Sequence, residues 1–184
     1  MKNPDKIESL IKKCKRQDKH AQMEIYRLYY QAMFNISYRI VKRFEDAEDV
    51  MQEAFIKAFQ KIEHFKAQST FGAWLKRIVI NESLNWIKKN ASYPYRNETM
   101  EEPPVEEEEE DCELSHLKAR QILEAMDMLK ERYRIILSLH IIEGYDYEEI
   151  QEITGLNYGN LRTLISRAKS QLKKILQEEY GITR

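Results

Sequence analysis

The chain has few of the residues that mark turn-rich, disulfide-bonded or membrane-spanning proteins. Its 184 residues include only 5 glycines, 4 prolines and 2 cysteines. So few turn formers argue against an all-β fold, and two cysteines without a repeated spacing argue against a disulfide framework. No apolar run approaches the roughly 18 residues that a membrane span needs, and residues 1–5 do not begin a signal peptide. We therefore expect a cytoplasmic, reducing setting and no insertion into a membrane.

Charge is spread unevenly along a chain whose net charge is only −1. Residues 1–97 carry 19 Lys and Arg against 11 Asp and Glu, residues 98–113 carry none against 10, and residues 114–184 carry 11 against 10. A basic first part, an acidic middle and a nearly neutral last part do not describe one uniformly solvated globule. We predict an all-α protein with two small helical domains, at residues 6–90 and 114–178.

Residues 91–113 show no helical periodicity and contain Tyr93-Pro94, Pro103-Pro104 and the acidic run 106–111. Such a segment buries too little apolar surface to offset the entropy lost on ordering. We predict a flexible acidic linker between the two domains. It is either a solubilising spacer or a polyanion that competes with nucleic acid for a basic channel on a partner.

Helical spacing of apolar residues predicts four helices in the first domain. Asp18 is expected to cap the second of them, which runs to about Lys42. Its five aromatic residues are either stacking groups for nucleic acid or core, and core is the commoner outcome. These residues are Tyr26, Tyr29, Tyr30, Phe34 and Tyr38. The side chains expected to be buried on this helix are Ile25, Leu28, Tyr29, Ala32, Met33, Ile36 and Ile40.

The third and fourth helices carry two different polar faces. Asp49, Gln52 and Glu53 lie at i, i+3 and i+4, so they share one exposed face beside an apolar stripe. A polar loop follows, in which Ser69 or Thr70 is placed to cap the fourth helix. That helix is expected to carry Phe71, Trp74, Leu75 and Ile78 on one side and Arg77, Asn81, Asn85, Lys88 and Lys89 mostly on another. An acidic face, a polar loop and a basic, amide-rich face indicate two different partners.

The second domain contains the signals of a helix-turn-helix. Asp146 and Glu149 form a capping box for one short helix, Gly155 permits the turn after it, and Asn157 caps the last helix. That last helix has no acidic residue between Gly155 and Gln177. A surface of one charge sign favours docking on phosphates, and Arg and Asn side chains near its start are able to reach base edges. An ordinary basic surface helix is the simpler alternative.

The order of these pieces resembles a bacterial sigma factor of the extracytoplasmic-function (ECF) group. The residues that carry the resemblance in the first domain are Asp46-Ala47-Glu48-Asp49, Gln52-Glu53, Phe55, Phe65, and Phe71 to Asn81 with Trp74-Leu75. In the second domain they are Leu129 to Arg134, Glu143-Gly144, Glu149-Ile150 and Arg167-Ala168-Lys169. The resemblance implies a region 2 helical bundle, a region 4 helix-turn-helix, and a linker that threads the polymerase.

The resemblance also implies partners and site residues. Core RNA polymerase would meet Asp46, Asp49, Gln52 and Glu53. The minus-ten element, with one base flipped out, would meet Lys66, Gln68, Ser69, Thr70, Arg77, Asn81 and Lys88. The minus-thirty-five element would meet Asn160, Arg162, Thr163, Ser166, Arg167 and Lys169. An anti-sigma protein is an implied partner, whereas a small-molecule substrate, a cofactor and a metal are not expected.

Two other functions fit parts of the sequence. A free-standing transcription regulator would pair a sensing or interaction domain with the helix-turn-helix, and it would bind duplex DNA without polymerase. An enzyme acting on nucleic acid would need the acidic cluster Asp46, Glu48, Asp49 and Glu53 to hold a metal. Those carboxylates point to several sides of a helix, and neither a Gly-rich phosphate loop nor a His-Cys set accompanies them. We therefore do not expect an enzyme.

Overall fold

A computed structural model describes residues 4–90 and 119–181. These residues form helices and no strand, which confirms the all-α prediction. The chain divides into two compact units within Met1–Asn97 and Glu98–Arg184, here called the first and second units. The predicted acidic linker and the predicted start of the second domain at residue 114 lie outside the described residues, so those boundaries stay predictions.

The first unit contains α1 (Pro4–Lys15), α2 (Lys19–Val41), α3 (Phe44–Gln60), a 3-10 turn (Ile62–His64) and α4 (Phe71–Asn90). The second unit contains α5 (Ala119–Asp127), α6 (Glu131–Leu137), a π-helical turn (Ser138–Ile142), α7 (Tyr147–Thr154) and α8 (Tyr158–Tyr180).

The ends of α2 follow from its flanking residues. The carboxylate of Asp18 accepts hydrogen bonds from the amides of His20 at 2.9 Å and Ala21 at 3.1 Å, as predicted for a cap. The helix ends where Lys42 adopts a left-handed conformation with φ 64°.

The buried side of α2 differs from the predicted one at two positions. The expectation that Ala32 is buried is wrong, because this position faces solvent, and Leu28 is only half-buried. Ser37 is fully buried although it is polar. The helix contacts α1, α3 and α4, and its buried face lies further round the helix than the predicted stripe, toward Ser37 and Val41.

Helices α2, α3 and α4 pack against one another, and α1 packs on α2. The inner face of α3 includes three small side chains, since Ala47, Ala54 and Ala58 are all fully buried. Small side chains let neighbouring helix axes approach closely. Between α2 and α4 the hydroxyls of Ser37 and Ser83 lie 3.2 Å apart, and the Ser83 hydroxyl lies 2.8 Å from the Val79 carbonyl, so these buried polar groups have hydrogen-bond partners.

The buried side of α4 also differs from the predicted one. Phe71 and Leu75 are buried as expected, whereas Trp74 and Ile78 are only half-buried. Val79 and Ile80 are fully buried instead. The reason is that α4 contacts α2 and α3 at once, so its buried face is wider than a single stripe and lies further round the helix.

In the second unit α6 and the turn after it form the centre of the core. Ile135, Ile136 and Leu137 are fully buried in succession, and α6 packs against α8. The sequence did not predict the π-helical turn Ser138–Ile142. It is closed by the amide of Glu143, which donates to the carbonyl of Ser138 at 3.0 Å.

The helix-turn-helix is built as predicted. The Asp146 side chain accepts from the Glu149 amide at 2.8 Å, and the Glu149 side chain accepts from the Asp146 amide at 3.0 Å. Gly155 has φ 75°, a conformation that L residues rarely adopt, and this turn leads into α8. The Asn157 side chain caps α8 by accepting from the Asn160 amide at 2.8 Å. The buried stripe of α8 comprises Leu161, Leu164, Ile165, Ala168, Leu172 and Leu176.

Candidate functional site

The outer face of α3 is acidic and open at its centre. Asp49, Gln52 and Glu53 are exposed, as their spacing predicts. Asp46 differs from them, because it is half-buried and lies 2.8 Å from the Arg43 guanidinium. The open part of the face is therefore Asp49, Gln52 and Glu53, with Asp46 at its edge in an ion pair. Among the described residues, no group of three or more His, Cys, Asp or Glu side chains is placed to hold a metal ion.

The loop between the 3-10 turn and α4 is anchored at both ends. At its start Phe65 is buried, and its ring centroid lies 5.5 Å from that of Phe71 and 5.4 Å from that of Trp74. At its end the Thr70 hydroxyl accepts a hydrogen bond from the Ala73 amide at 3.2 Å, so Thr70 is the cap of α4. Residues 66–70 between these anchors are all exposed. The loop thus presents polar side chains to solvent from a fixed base.

The outer face of α4 extends this polar surface along the helix. Arg77, Asn81 and Lys88 are exposed, and the half-buried ring of Trp74 lies on the same side by helical spacing. Asn81 follows Thr70 by eleven residues, which corresponds to about 16 Å along a helix axis. A surface of that length accommodates several nucleotides of a strand, since each occupies about 3.4 Å in a duplex.

The outer face of α8 carries the six residues predicted to meet DNA. Asn160, Arg162, Thr163, Ser166 and Lys169 are exposed, and Arg167 is half-buried. The Thr163 hydroxyl donates to the Gly159 carbonyl at 3.0 Å, so its methyl group and the acceptor lone pairs of its oxygen are left to contact a ligand. The side chains lie along one face for nearly three turns and present only polar or positively charged groups.

Tyr158, which the sequence pattern did not single out, stands at the start of this face. It is the first residue of α8 and is 50% exposed. Its ring centroid lies 6.0 Å from that of Tyr147, which in turn lies 5.2 Å from that of His140 on the π-helical turn. The available signal was an aromatic residue directly after a helix cap. Helical periodicity does not identify such a residue, because the first turn of a helix has no preceding turn with which its apolar positions can be compared.

Comparison with known families decides between the remaining functions. A family model described as Sigma-70 region 2 matches residues 25–93, and one described as Sigma-70 region 4 matches residues 119–172. Together the two matches cover well over half of the chain. The chain belongs to the sigma-70 family.

Full-length relatives place this sigma factor in the ECF group. It is 29% identical over 182 residues to the ECF RNA polymerase sigma factor SigW of Bacillus subtilis, covering 94% of this chain and 97% of that protein. It is 30% identical over 188 residues to the RNA polymerase sigma-H factor of Pseudomonas aeruginosa, covering 96% of this chain and 97% of that protein.

Solved structures show the same fold. CnrH, in complex with the cytosolic domain of CnrY, matches with a TM-score of 0.57 at 19% identity, over 96% of this chain and 99% of that one. The sigma factor RpoE of Bartonella quintana, in complex with the anti-sigma factor NepR, matches with a TM-score of 0.56 at 22% identity, over 85% of this chain and 97% of that one.

The protein is thus an RNA polymerase sigma factor that directs promoter-specific transcription initiation. Proteins of this family bind core RNA polymerase and promoter DNA, and the family is not an enzymatic one. The helix-turn-helix in the second unit belongs to the region 4 match, and the anchored loop belongs to the region 2 match. No helix among the described residues is long and apolar enough to cross a membrane.

Proposed function

We propose that the acidic face of α3 is the surface on which this sigma factor docks on core polymerase. Asp49, Gln52 and Glu53 are exposed together on one side of a helix whose other side is fully buried. A rigid helix presents its charges in a fixed arrangement, so a basic partner surface can bind them with little loss of conformational entropy. Asp46 contributes to polymerase binding at the edge of this face. Its ion pair with Arg43 must either open on binding or be shared with the polymerase.

The loop and the outer face of α4 hold the non-template strand of the minus-ten element. The residues assigned to this strand are Lys66, Gln68, Ser69, Thr70, Arg77, Asn81 and Lys88. Taking a base out of the stack costs a few kcal/mol, so the receiving loop must be ordered beforehand. Burial of Phe65 and the cap at Thr70 order the loop at both ends. The exposed side chains of Arg77 and Lys88 on α4 supply positive charge for the strand's phosphates.

The outer face of α8 reads the minus-thirty-five element. Arg167 and Arg162 are the side chains with the donors needed for bidentate contacts to guanine, and Asn160 has the donor and acceptor needed for adenine. Thr163, Ser166 and Lys169 fill the remaining contacts to bases and phosphates. The helix is fixed for this task by its buried stripe and by the cap at Asn157.

The remaining assignments concern the acidic middle of the chain and the regulation of the protein. The acidic linker 91–113 competes with nucleic acid, as a polyanion, for a basic channel on the polymerase. CnrH and RpoE are each bound to another protein in their solved structures, and the partner of RpoE is an anti-sigma factor, which supports a similar protein as a regulator here. The sigma factor has no catalytic activity, cofactor or metal of its own, and it acts in the cytoplasm with the polymerase.

The observation that carries this proposal is the presence of an acidic helix face and an anchored polar loop in one small unit. A free-standing regulator has no use for that pair of surfaces. The test is run-off transcription with purified core polymerase, followed by mapping of the start sites. Defined start sites that disappear on Asp49→Lys and on Gln68→Ala with Ser69→Ala support the assignments, and unchanged transcription by both variants would refute them.

A further inference from the structure

Lys15, the last residue of α1, is bonded to the base of the loop. Its ammonium Nζ donates to the main-chain carbonyl oxygen of Phe65 at 3.3 Å, between residues fifty positions apart in the chain. The side chain is half-buried. Helix α1 precedes the segment matched by the region 2 family model, which starts at residue 25, so this contact comes from outside the family match.

Phe65 is the residue from which the loop departs, and it is fixed at three points. Its ring packs on Phe71 and Trp74, its amide donates to the Ile62 carbonyl at 3.1 Å, and its carbonyl accepts from Lys15. The first two contacts leave the peptide plane after Phe65 free to rotate, because neither involves its carbonyl. The bond from Lys15 sets the direction in which the chain leaves Phe65.

That direction matters because the loop holds an unfavourable backbone conformation. Ala67, two residues later, has φ 55°. The left-handed region costs a non-glycine residue roughly 1–2 kcal/mol, and such a conformation persists only where the surroundings fix it. The loop ends at the Thr70 cap, so the chain between residues 66 and 69 keeps its shape only while both ends are held.

We propose that Lys15 is a positioning residue for promoter opening, which holds the loop in the conformation that receives the flipped base. The inference rests on the role proposed above for the loop. It assigns part of the minus-ten machinery to α1, a helix that the family match does not include.

Docking of α1 does not explain the bond. Leu10, Ile11 and Cys14 are buried and already attach α1 to the rest of the unit. Favourable interaction of a lysine with the end of a helix dipole requires no bond to another element, and Lys12 and Lys13 supply the same charge in the last turn. Neither packing nor charge connects α1 directly to the loop. The hydrogen bond from Lys15 to the Phe65 carbonyl makes that connection.

The test uses the full-length chain with the substitutions Lys15→Met and Lys15→Arg. Methionine keeps the length and apolar stem of the side chain and removes its hydrogen-bond donors. Arginine keeps a positive charge and hydrogen-bond donors. Lys6→Met is the matched control, because Lys6 lies on the same helix and its ammonium is 3.6 Å from Glu24 on α2. A fourth protein, Gln68→Ala with Ser69→Ala, tests the loop itself.

The first measurement is amide hydrogen exchange of the loop, followed by mass spectrometry. Lys15→Met should raise exchange of the Phe65 and Ala73 amides, whose hydrogen bonds hold the two ends of the loop, by about tenfold, the equivalent of one hydrogen bond to a charged group. Exchange within α1 should stay unchanged, and Lys6→Met and Lys15→Arg should resemble the unaltered protein. Faster exchange throughout α1 in Lys15→Met would mean that the bond only attaches the helix, and it would overturn the proposal.

The second measurement is the rate of promoter opening with core polymerase, on a promoter mapped by run-off transcription. A fluorescent base analogue in the non-template strand of its minus-ten element reports opening. We expect Lys15→Met to slow opening by about tenfold and to leave assembly with core polymerase unchanged. If Gln68→Ala with Ser69→Ala does not slow opening, the proposed function of the loop is wrong. If that variant slows opening and Lys15→Met does not, the role of Lys15 is overturned.

Discussion

Lys57 on α3 bonds to Glu82 on α4, with 2.7 Å between Nζ and Oε2. The same ammonium lies 3.5 Å from Glu53, one of the residues proposed to meet polymerase. Glu82 directly follows Asn81, one of the residues proposed to meet DNA. Lys57 therefore joins α3, which carries the acidic face, to α4, which carries the minus-ten face. Its ammonium lies closer to Glu82 on α4 than to Glu53 on α3.

Removing this lysine should weaken the first unit modestly. Because the pair is partly exposed, we expect Lys57→Met to lower the free energy of unfolding by about 1 kcal/mol. The hydrogen bond that Lys57 donates to Glu82 is the main cause that raises the pKa of Lys57 above its ordinary value of 10.5. The contribution is therefore fully present below pH 10.5 and is lost as the pH rises through the raised pKa.

Urea unfolding followed by tryptophan fluorescence measures this effect, since both tryptophans, Trp74 and Trp86, lie on α4 and report the first unit alone. The difference between Lys57→Met and the unaltered protein should be constant from neutral pH to about pH 10 and shrink above it. Lys61 is an exposed lysine at the end of α3, and Lys61→Met should change the free energy of unfolding little. A difference that grows above pH 10.5 would contradict the assignment.

A second prediction concerns the closely packed helices of the first unit. Ala58→Leu should destabilise the unit by about 1–3 kcal/mol, because its methyl group is fully buried and additional volume must displace neighbours. Ala32→Leu on α2 is the matched control, since Ala32 faces solvent. The same fluorescence-detected unfolding compares the two, and equal effects would be inconsistent with the packing described.

A third prediction addresses polymerase binding. Asp49→Lys should abolish association with core polymerase, while the unfolding midpoint of the first unit stays close to the original, because Asp49 is exposed. Glu24→Lys makes the same charge change on α2 and should bind normally. Co-elution with core polymerase on gel filtration is the measurement. Binding by Asp49→Lys as strong as by Glu24→Lys would exclude the acidic face as the docking surface.

A fourth prediction separates reading of bases from docking on phosphates. Arg167→Ala should weaken holoenzyme binding to the minus-thirty-five element by about 1–3 kcal/mol if Arg167 reads a base, and only for the preferred sequence. Lys174→Ala, further along α8 and paired with Glu178, should have a small effect. Competition binding with altered minus-thirty-five sequences measures the difference. A similar loss for every sequence would show that Arg167 meets phosphate only.

The sequence predicted those parts of the structure that have local causes. The capping box at Asp146 and Glu149 and the cap at Asn157 each involve neighbours within three residues, and both were confirmed. Features decided by packing were missed. The buried face of α4 was placed too narrowly, because periodicity does not tell how many helices a helix contacts. The bond from Lys15 to Phe65 was missed because no spacing rule relates residues fifty positions apart.

The central claim is that this sigma factor acts on DNA only as part of the polymerase. It is tested most directly by measuring binding and start-site selection on promoter fragments with the sigma factor alone, with core polymerase alone and with both. We predict specific binding and defined start sites only when both are present. Specific binding by the sigma factor alone, unchanged by addition of core polymerase, would contradict the account and favour a free-standing regulator.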